Sequence, residues 1–337
     1  MNRYVRAGAF LFGVAVLAVL VVRSNPAVLW QTLRHTGWVV GPLVALWGVV
    51  YACNARAWQL LIPKRPPAFT FRRAWLLSVS SFALNYATPF LALGGEPVKV
   101  AGATPFLGRN RAVGSVIGFR FLHALAHIAA FLIAIVPAAI YLPHTPLILG
   151  TLAVAAVLLV LAASFLLSQH RAGIFERGLT WLNRWRPLQR LAAKLEKHRP
   201  ALRELDVELT AIHRGGNAAF AGALATELGG RILSSLEFAF ILYGFGLGFD
   251  VVRAFLVINL SSLFTNLLFF IPFEMGAKEG SIFFIFGWLG FDPALGTTAA
   301  LLSRVRELIW MALGLGCLLL LDDDARTGSR EGTIRNE

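Results

Sequence analysis

Long apolar segments separated by short polar ones run through the whole chain of 337 residues. A bilayer with a hydrocarbon core of roughly 30 Å is crossed by a helix of about 20 apolar residues. Segments of this kind occur at Ala7 to Val22, Trp38 to Ile62, Val113 to Tyr141, Pro146 to Ser168, Asn217 to Leu247 and Pro293 to Leu321. The pattern therefore predicts an all-α polytopic membrane protein with six full spans.

Two further apolar segments are interrupted and do not fit a full span. Segment 74–107 is cut by Pro89 and Gly94-Gly95 into pieces that would be about 22 and 16 Å long as helices. Lys and Arg residues flank both of its ends, so the positive-inside rule returns it to the cytoplasmic side as a re-entrant hairpin. Segment 251–290, interrupted at Pro272 to Gly280, is the mirror case, because a full span there would run into the last span without a loop.

The two interrupted segments share one residue pattern. Ser80-Ser81 and Asn85 are followed by Pro89-Phe90 and then Glu96; Ser261-Ser262 and Asn266 are followed by Pro272-Phe273 and then Glu279. Hydrophobic segments broken by Gly and Pro at corresponding places of two halves are typical of transporters built from inverted repeats. The pattern predicts two hairpins, entered from opposite sides of the membrane, as the basis of a transport site.

Composition supports a membrane location. The chain is 57% hydrophobic and 15% charged, with a mean hydropathy of +0.67, which leaves too few polar residues to coat a soluble domain of this length. We attribute the net charge of +13 to Lys and Arg residues that flank the spans on one side of the membrane, and not to a site that binds nucleic acid. The positive-inside rule then places both termini on the cytoplasmic side of the membrane. Cys53 and Cys317 lie in apolar stretches and predict neither a disulfide framework nor a metal site.

The same pattern divides the chain into four parts. An N-terminal membrane half is expected at 1–168, and a C-terminal membrane half at 217–321. Between them, 169–216 is basic, and its Leu and Trp spacing predicts short amphipathic helices on anionic headgroups. The tail at 322–337 is expected to be solvated and disordered.

Charged residues inside the apolar segments are the candidates for function, because each costs about 2.5 to 3.5 kcal/mol to insert unless it is paired or hydrated. Arg120, His123 and His127 share one helix face. Glu227 with Arg231, and Arg304 with Glu307, have spacings that allow pairing along a helix, whereas Glu237 and Arg306 lie off those faces. The hairpin tips add Glu96, Lys99, Glu274, Lys278 and Glu279.

Structural roles for these residues stay open. Mutual neutralisation within the bundle would also account for the charges, and His123 and His127 fit ordinary helix packing. Polar stripes on the two hairpins, at Ser78, Ser81, Asn85 and Thr88 and at Asn259, Ser262 and Asn266, fit hydrogen bonds between helices as well as the lining of a path.

Asn85 to Lys99, with Asn, Pro, Gly-Gly-Glu and a following Lys, resembles the first signature of the membrane region of lysylphosphatidylglycerol synthases, a flippase-like family. Pro272 to Gly280 resembles its second signature, and Arg56 with Trp58 resembles a third feature. Glu274-Met275-Gly276 departs from the usual Gly-Gly and adds an acid near the tip. The aminoacyl-transfer domain of two-domain relatives is absent, so synthesis of the lipid is not expected.

The resemblance implies that a lipid moves between leaflets, with aminoacyl-phosphatidylglycerol as the best-known cargo and polyprenyl-linked or hopanoid-related lipids suspected for stand-alone members. We therefore predict a lipid translocase without a cofactor, bound to lipids with anionic or zwitterionic headgroups and served by a lipid-synthesising enzyme. The alternatives are a membrane-embedded lipid-carrier transferase and a non-transporting accessory subunit. The predicted substrate-binding residues are Asn85, Glu96, Lys99, Arg120, Glu227, Arg231, Asn266, Lys278, Glu279, Arg304 and Glu307.

Overall fold

The computed structural model describes residues 36–88, 94–172, 217–267 and 276–321, together with scattered positions before residue 36 and residue 184. A 3-10 turn at Gly37–Val39 leads into the first of its helices. The helices are α1 (Val40–Leu60), α2 (Phe71–Ala87), α3 (Glu96–Leu107), α4 (Arg109–Tyr141), α5 (Pro146–Ala172), α6 (Asn217–Ser234), α7 (Leu236–Gly244), α8 (Val251–Leu267), α9 (Ala277–Trp288) and α10 (Pro293–Leu320).

Every regular element in the described part of the chain is a helix, which confirms the predicted fold class. Among the described residues, three helices are long and apolar enough to cross a membrane: Gly37–Leu60, Arg109–Tyr141 and Pro146–Ser168. α10 has 28 residues and carries Arg304, Arg306 and Glu307 in its middle. The predicted first span, most of the basic loop and the tail lie outside the described residues.

Both interrupted segments fold as two helices that pack against each other, α2 on α3 and α8 on α9. α2 begins at Phe71, before the expected start, because the side chain of Thr70 caps it by accepting a hydrogen bond from the Arg73 N–H at 3.3 Å. The second return arm runs from Ala277 to Trp288, so it starts before the Ser281 expected from the sequence. The Pro-Phe pairs of both turns lie outside the described residues.

The predicted span Asn217 to Leu247 is wrong in one respect, because it is two helices and not one. α6 ends at Ser234 and α7 begins at Leu236. The hydroxyl of Ser234 donates to the carbonyl of Arg231 at 2.6 Å, and that of Ser235 donates to the carbonyl of Ile232. Serine side chains that bond back into their own helix loosen its backbone ladder and bend it.

The two larger of the three apolar cores in the described residues lie at different levels of the bundle. The first joins the C-terminal part of α1 with α2, α3, the start of α4 and the C-terminal part of α10. The second joins the start of α1 and the end of α4 with α7, α8, α9 and the first part of α10. Along α10, Leu302 belongs to the second core and Leu308 to the first, and the charged residues lie between them. The long helices thus carry their polar side chains in a belt between two apolar layers.

Candidate functional site

A cavity of about 380 Å³ opens within this polar belt. Side chains from both hairpins and from the long helices α1, α4, α6 and α10 form its wall. The wall includes these predicted site residues: Asn85, Glu96, Lys99, Arg120, Glu227, Arg231, Asn266, Lys278 and Glu307. Glu279 and Arg304 lie next to it and form an ion pair with each other at 2.6 Å. Residues far apart in the sequence are therefore brought to one place.

The tip of the first hairpin is held together by Asn85. Its side-chain oxygen accepts a hydrogen bond from the Gly95 N–H at 2.7 Å, and its amide nitrogen donates to Oε1 of Glu96 at 3.3 Å. Glu96 in turn pairs with Arg120 of α4, with Nε and Oε1 3.3 Å apart. Asn85 therefore fixes the acid that faces the cavity, and the acid ties the tip to the following long helix.

The second tip is arranged differently. Gly276, with a φ of 79°, starts α9, and its N–H donates to Oε2 of Glu279 at 2.9 Å. Lys278 forms an ion pair with Glu307 of α10. Asn266 bonds to the carbonyl of Ser262 on its own helix at 2.7 Å. Although Asn85 and Asn266 match in sequence, only Asn85 reaches across to its return arm in the described residues.

Tyr86 connects the first hairpin to the last helix. No sequence pattern predicted this link. Its hydroxyl donates to Oε2 of Glu307 at 2.9 Å and accepts a hydrogen bond from Arg304 at 2.9 Å. Arg304 and Glu307 also approach each other at 4.0 Å, as their spacing predicted. The two hairpins are thus joined through one cluster of hydrogen-bonded charges on α10.

Glu227 and Arg231, whose spacing allows an ion pair along α6, do not form one in the described residues. Oε1 of Glu227 lies 2.6 Å from Nδ1 of His123 and accepts a hydrogen bond from the amide of Asn54 at 2.8 Å. Arg231 donates to the hydroxyl of Ser262 at 2.8 Å. Neighbouring helices supply polar partners to both side chains, and these partners replace the pairing along α6 that the sequence spacing allows.

Lys99, which is buried, and Arg231, which is partly buried, are cations without an ion pair among the described residues. Lys99 is 6% exposed, and its ammonium lies 4.5 Å from the ring centroid of Phe119 and 5.5 Å from that of Trp58. Nε of Arg231 has no hydrogen-bond partner in the described part of the chain. Aromatic faces offset part of the cost of burying a cation, but they leave its positive charge available to a ligand.

Glu237 and Arg306 form a buried ion pair in the wall of the same cavity, at positions that the sequence analysis placed off the candidate faces. They are 1% and 3% exposed, and their closest charged atoms are 3.0 Å apart. Trp47 and Ser303 donate further hydrogen bonds to Glu237 at 2.8 and 2.6 Å. Two isolated opposite charges on different apolar helices are a signal for such a pair, because neither is stable in the membrane alone.

Comparison with known proteins places the chain in a family. Residues 9–316 match the family model described as Lysylphosphatidylglycerol synthase TM region. No curated protein and no solved structure matches the chain.

Proposed function

We propose that this chain, which belongs to the Lysylphosphatidylglycerol synthase TM region family, is a lipid translocase that moves a phospholipid or a polyprenyl- or hopanoid-related lipid between the leaflets of a bacterial inner membrane. The family supports a function connected with membrane lipids. The finer assignment rests on the cavity, whose polar wall lies between two apolar layers.

The observation that carries the proposal is the presence, in one cavity wall, of two cations without an ion pair among the described residues. Lys99 and Arg231 both line the cavity, and neither has a carboxylate partner among the described residues. A buried charge without a counterion is expensive, whereas a phosphate supplies the missing charge and several acceptor oxygens. A lipid with an anionic or zwitterionic headgroup fits this requirement.

Other features of the cavity suit a headgroup that also carries donors. Oε2 of Glu96 and Oε2 of Glu227 are buried and have no hydrogen-bond partner among the described residues, as is true of the hydroxyls of Ser78 and Ser81. All four side chains line the cavity. An ammonium or hydroxyl group on the headgroup would satisfy them, while the acyl chains stay in the surrounding lipid.

The broken hairpins provide a way to change access. Non-helical backbone at membrane depth is tolerated where it is buried in protein or lines a cavity, and both hairpin tips lie at the cavity or beside it. If the hairpins enter from opposite sides, as the inverted-repeat prediction holds, each would close one route to the same site.

Reconstitution into vesicles tests the proposal directly. Fluorescent phosphatidylglycerol in phosphatidylcholine vesicles would be scored for leaflet exchange by quenching with dithionite from outside. Lys99→Gln should slow exchange roughly ten- to a hundredfold, which corresponds to loss of a hydrogen bond to a charged group worth about 1.5–3 kcal/mol. Lys64→Gln, an exposed lysine in the α1–α2 loop, is the matched control and should exchange lipid at the normal rate.

The same vesicles separate the rival functions. Mass spectrometry of the recovered lipid would reveal a covalent change if the protein were a lipid-carrier transferase. Absence of exchange with every lipid class in folded protein would favour an accessory subunit and would overturn the proposal.

A further inference from the structure

The hydrogen bond between His123 and Glu227 joins two titratable side chains on different helices inside the cavity wall. Lipid binding as proposed above places the phosphate at Lys99 and Arg231 and uses Oε2 of Glu227, which leaves the hydrogen bond between Oε1 and His123 without an assigned role. Glu227 is 3% exposed, and the side chain of His123 is 35% exposed. One member is thus held in the protein interior, while the other reaches the cavity.

The geometry fixes how the pair carries its protons. A carboxylate can only accept, so Oε1 of Glu227 at 2.6 Å sets the neutral His123 ring with its hydrogen on Nδ1. Nε2 of His123 is then an acceptor, and no described residue donates a hydrogen bond to it. Asn54 holds the same carboxylate oxygen at 2.8 Å and keeps the carboxylate oriented.

Groups of both positive and negative charge surround the His123–Glu227 pair. The groups that face the pair are Cys53 and Asn54 from α1, Glu96 and Lys99 from α3, Arg120 and His127 from α4, Arg231 from α6, and the uncharged Ser262 from α8. Arg120 is neutralised by Glu96. Lys99 and Arg231 each interact electrostatically with Glu227. The two cations proposed to bind the lipid phosphate therefore lie close to the His123–Glu227 pair.

A phosphate that binds to these cations changes the local charge. In the empty site, Lys99 and Arg231 together outweigh the single carboxylate of Glu227. A lipid phosphodiester, which carries one negative charge, removes that excess, and uptake of one proton restores it. Because opposite charges attract strongly in a cavity of low dielectric, anion and proton favour each other's binding.

We propose that the His123–Glu227 pair is a proton-binding site that couples lipid movement to proton movement in the same direction. The inference rests on the proposed translocase function. When the lipid phosphate binds near Lys99 and Arg231, a proton adds to Nε2 of His123, and Nδ1–H keeps its bond to Glu227. On the opposite side, release of the phosphate releases the proton from Nε2. The lipid and the proton together carry no net charge, so transport is electroneutral.

A pH gradient across reconstituted vesicles tests the coupling. Phosphatidylcholine vesicles with a trace of fluorescent phosphatidylglycerol would be prepared with the lumen one pH unit above the outside. One-to-one coupling predicts about a tenfold enrichment of the labelled lipid in the inner leaflet, because one pH unit is a tenfold ratio of protons. A membrane potential imposed without a pH gradient should have no effect. Vesicles without protein and vesicles with a proton ionophore are the controls.

Variants link the effect to the pair. His123→Asn keeps a side-chain N–H near the position of Nδ1 but has no second ring nitrogen, so the equilibrium leaflet ratio should fall from about tenfold to about one, whatever the rate. His144→Asn, in the loop between α4 and α5 with its ring bonded to the carbonyl of Ala139, is the matched control and should keep the tenfold ratio. Size-exclusion profiles of both variants verify folding.

A second measurement does not depend on transport. Purified protein in weakly buffered detergent with a pH indicator should take up about one proton per chain when short-chain phosphatidylglycerol is added, and the His123→Asn variant should take up none. Lipid exchange that ignores the pH gradient, or lipid binding without proton uptake, overturns the inference but leaves the translocase proposal intact. Absence of any lipid exchange overturns both.

Discussion

Gly95 packs so closely against Ser81 that a side chain on Gly95 would overlap the carbonyl oxygen of Ser81. Gly95 has a φ of −83°, which any residue can adopt. The glycine is therefore required by space and not by backbone conformation. This contact sets how near the return arm α3 can lie to α2, and with it the position of Glu96.

Gly95→Ala should separate the two arms of the first hairpin. Overpacking of this kind lowers the free energy of unfolding by roughly 1–3 kcal/mol. The hydrogen bond from the residue 95 N–H to Asn85 would be lost when the arms separate. We expect a lower thermal unfolding temperature in detergent and much slower lipid exchange. Gly222→Ala in α6, where an added Cβ meets nothing within 4 Å, is the control and should be neutral or stabilising. Equal stability of the two variants would contradict the close contact.

Tyr86→Phe should weaken the link between the first hairpin and α10. The substitution removes a hydroxyl that bonds to both Glu307 and Arg304, and leaving their charges less well satisfied costs about 1–3 kcal/mol. Thermal unfolding in detergent measures the loss. Tyr243→Phe at the exposed end of α7 is the matched control, and it should leave the midpoint of thermal unfolding unaltered. A Tyr86→Phe midpoint equal to wild type would argue against the link.

Glu237 and Arg306 should behave as a coupled structural pair. Removal of one partner from a buried ion pair costs about 3–5 kcal/mol, because the remaining charge is left uncompensated. Glu237→Gln and Arg306→Gln should each destabilise the protein strongly. The double variant should lose less free energy of unfolding than the sum of the two single losses. The same double-mutant cycle at the half-exposed pair of Asp250 and Arg253 is the control. Its coupling energy should be below about 1 kcal/mol. Additive losses at Glu237 and Arg306 would show that they do not interact.

Labelling of single cysteines tests the re-entrant topology of the first hairpin. In a background without Cys53 and Cys317, Ala68→Cys and Asn110→Cys lie at exposed positions on either side of the hairpin. Both should resist an impermeant maleimide added to intact cells, because basic flanks hold them in the cytoplasm. His144→Cys, in the loop predicted to be external, should react. Strong labelling at position 110 would mean that the segment crosses the membrane.

Sequence patterns predicted the fold better than the contacts of the site. Apolar length located the helices, and the Gly and Pro interruptions located the two segments that fold as helix pairs, because these signals depend on local residues alone. Most of the predicted site residues also line the cavity, since any charge in an apolar helix is conspicuous. What the pattern could not supply was the partner of each charge.

Glu227 shows why the partners were missed. Its spacing to Arg231 is favourable for pairing on one helix, but Asn54 and His123 approach from α1 and α4 and bind the carboxylate instead. Which neighbours reach a side chain depends on how helices pack, and no spacing within one segment contains that information. Tyr86 escaped notice for a related reason, because a tyrosine in an apolar helix has many uses and only its contacts with α10 select one.

The order of charges at the start of α9 also limits how the second hairpin can move. Lys278 pairs with Glu307 and Glu279 with Arg304, and these two partners lie about one helical turn apart on α10. If α9 slid by one turn towards the beginning of α10, Lys278 would face Arg304, so one ion pair would be replaced by repulsion, and Glu279 would lose its partner. The register between α9 and α10 is thus fixed by sign as well as by shape. A sliding motion of the hairpin past its neighbour is therefore disfavoured, and we expect α9 and α10 to tilt together as one rigid body.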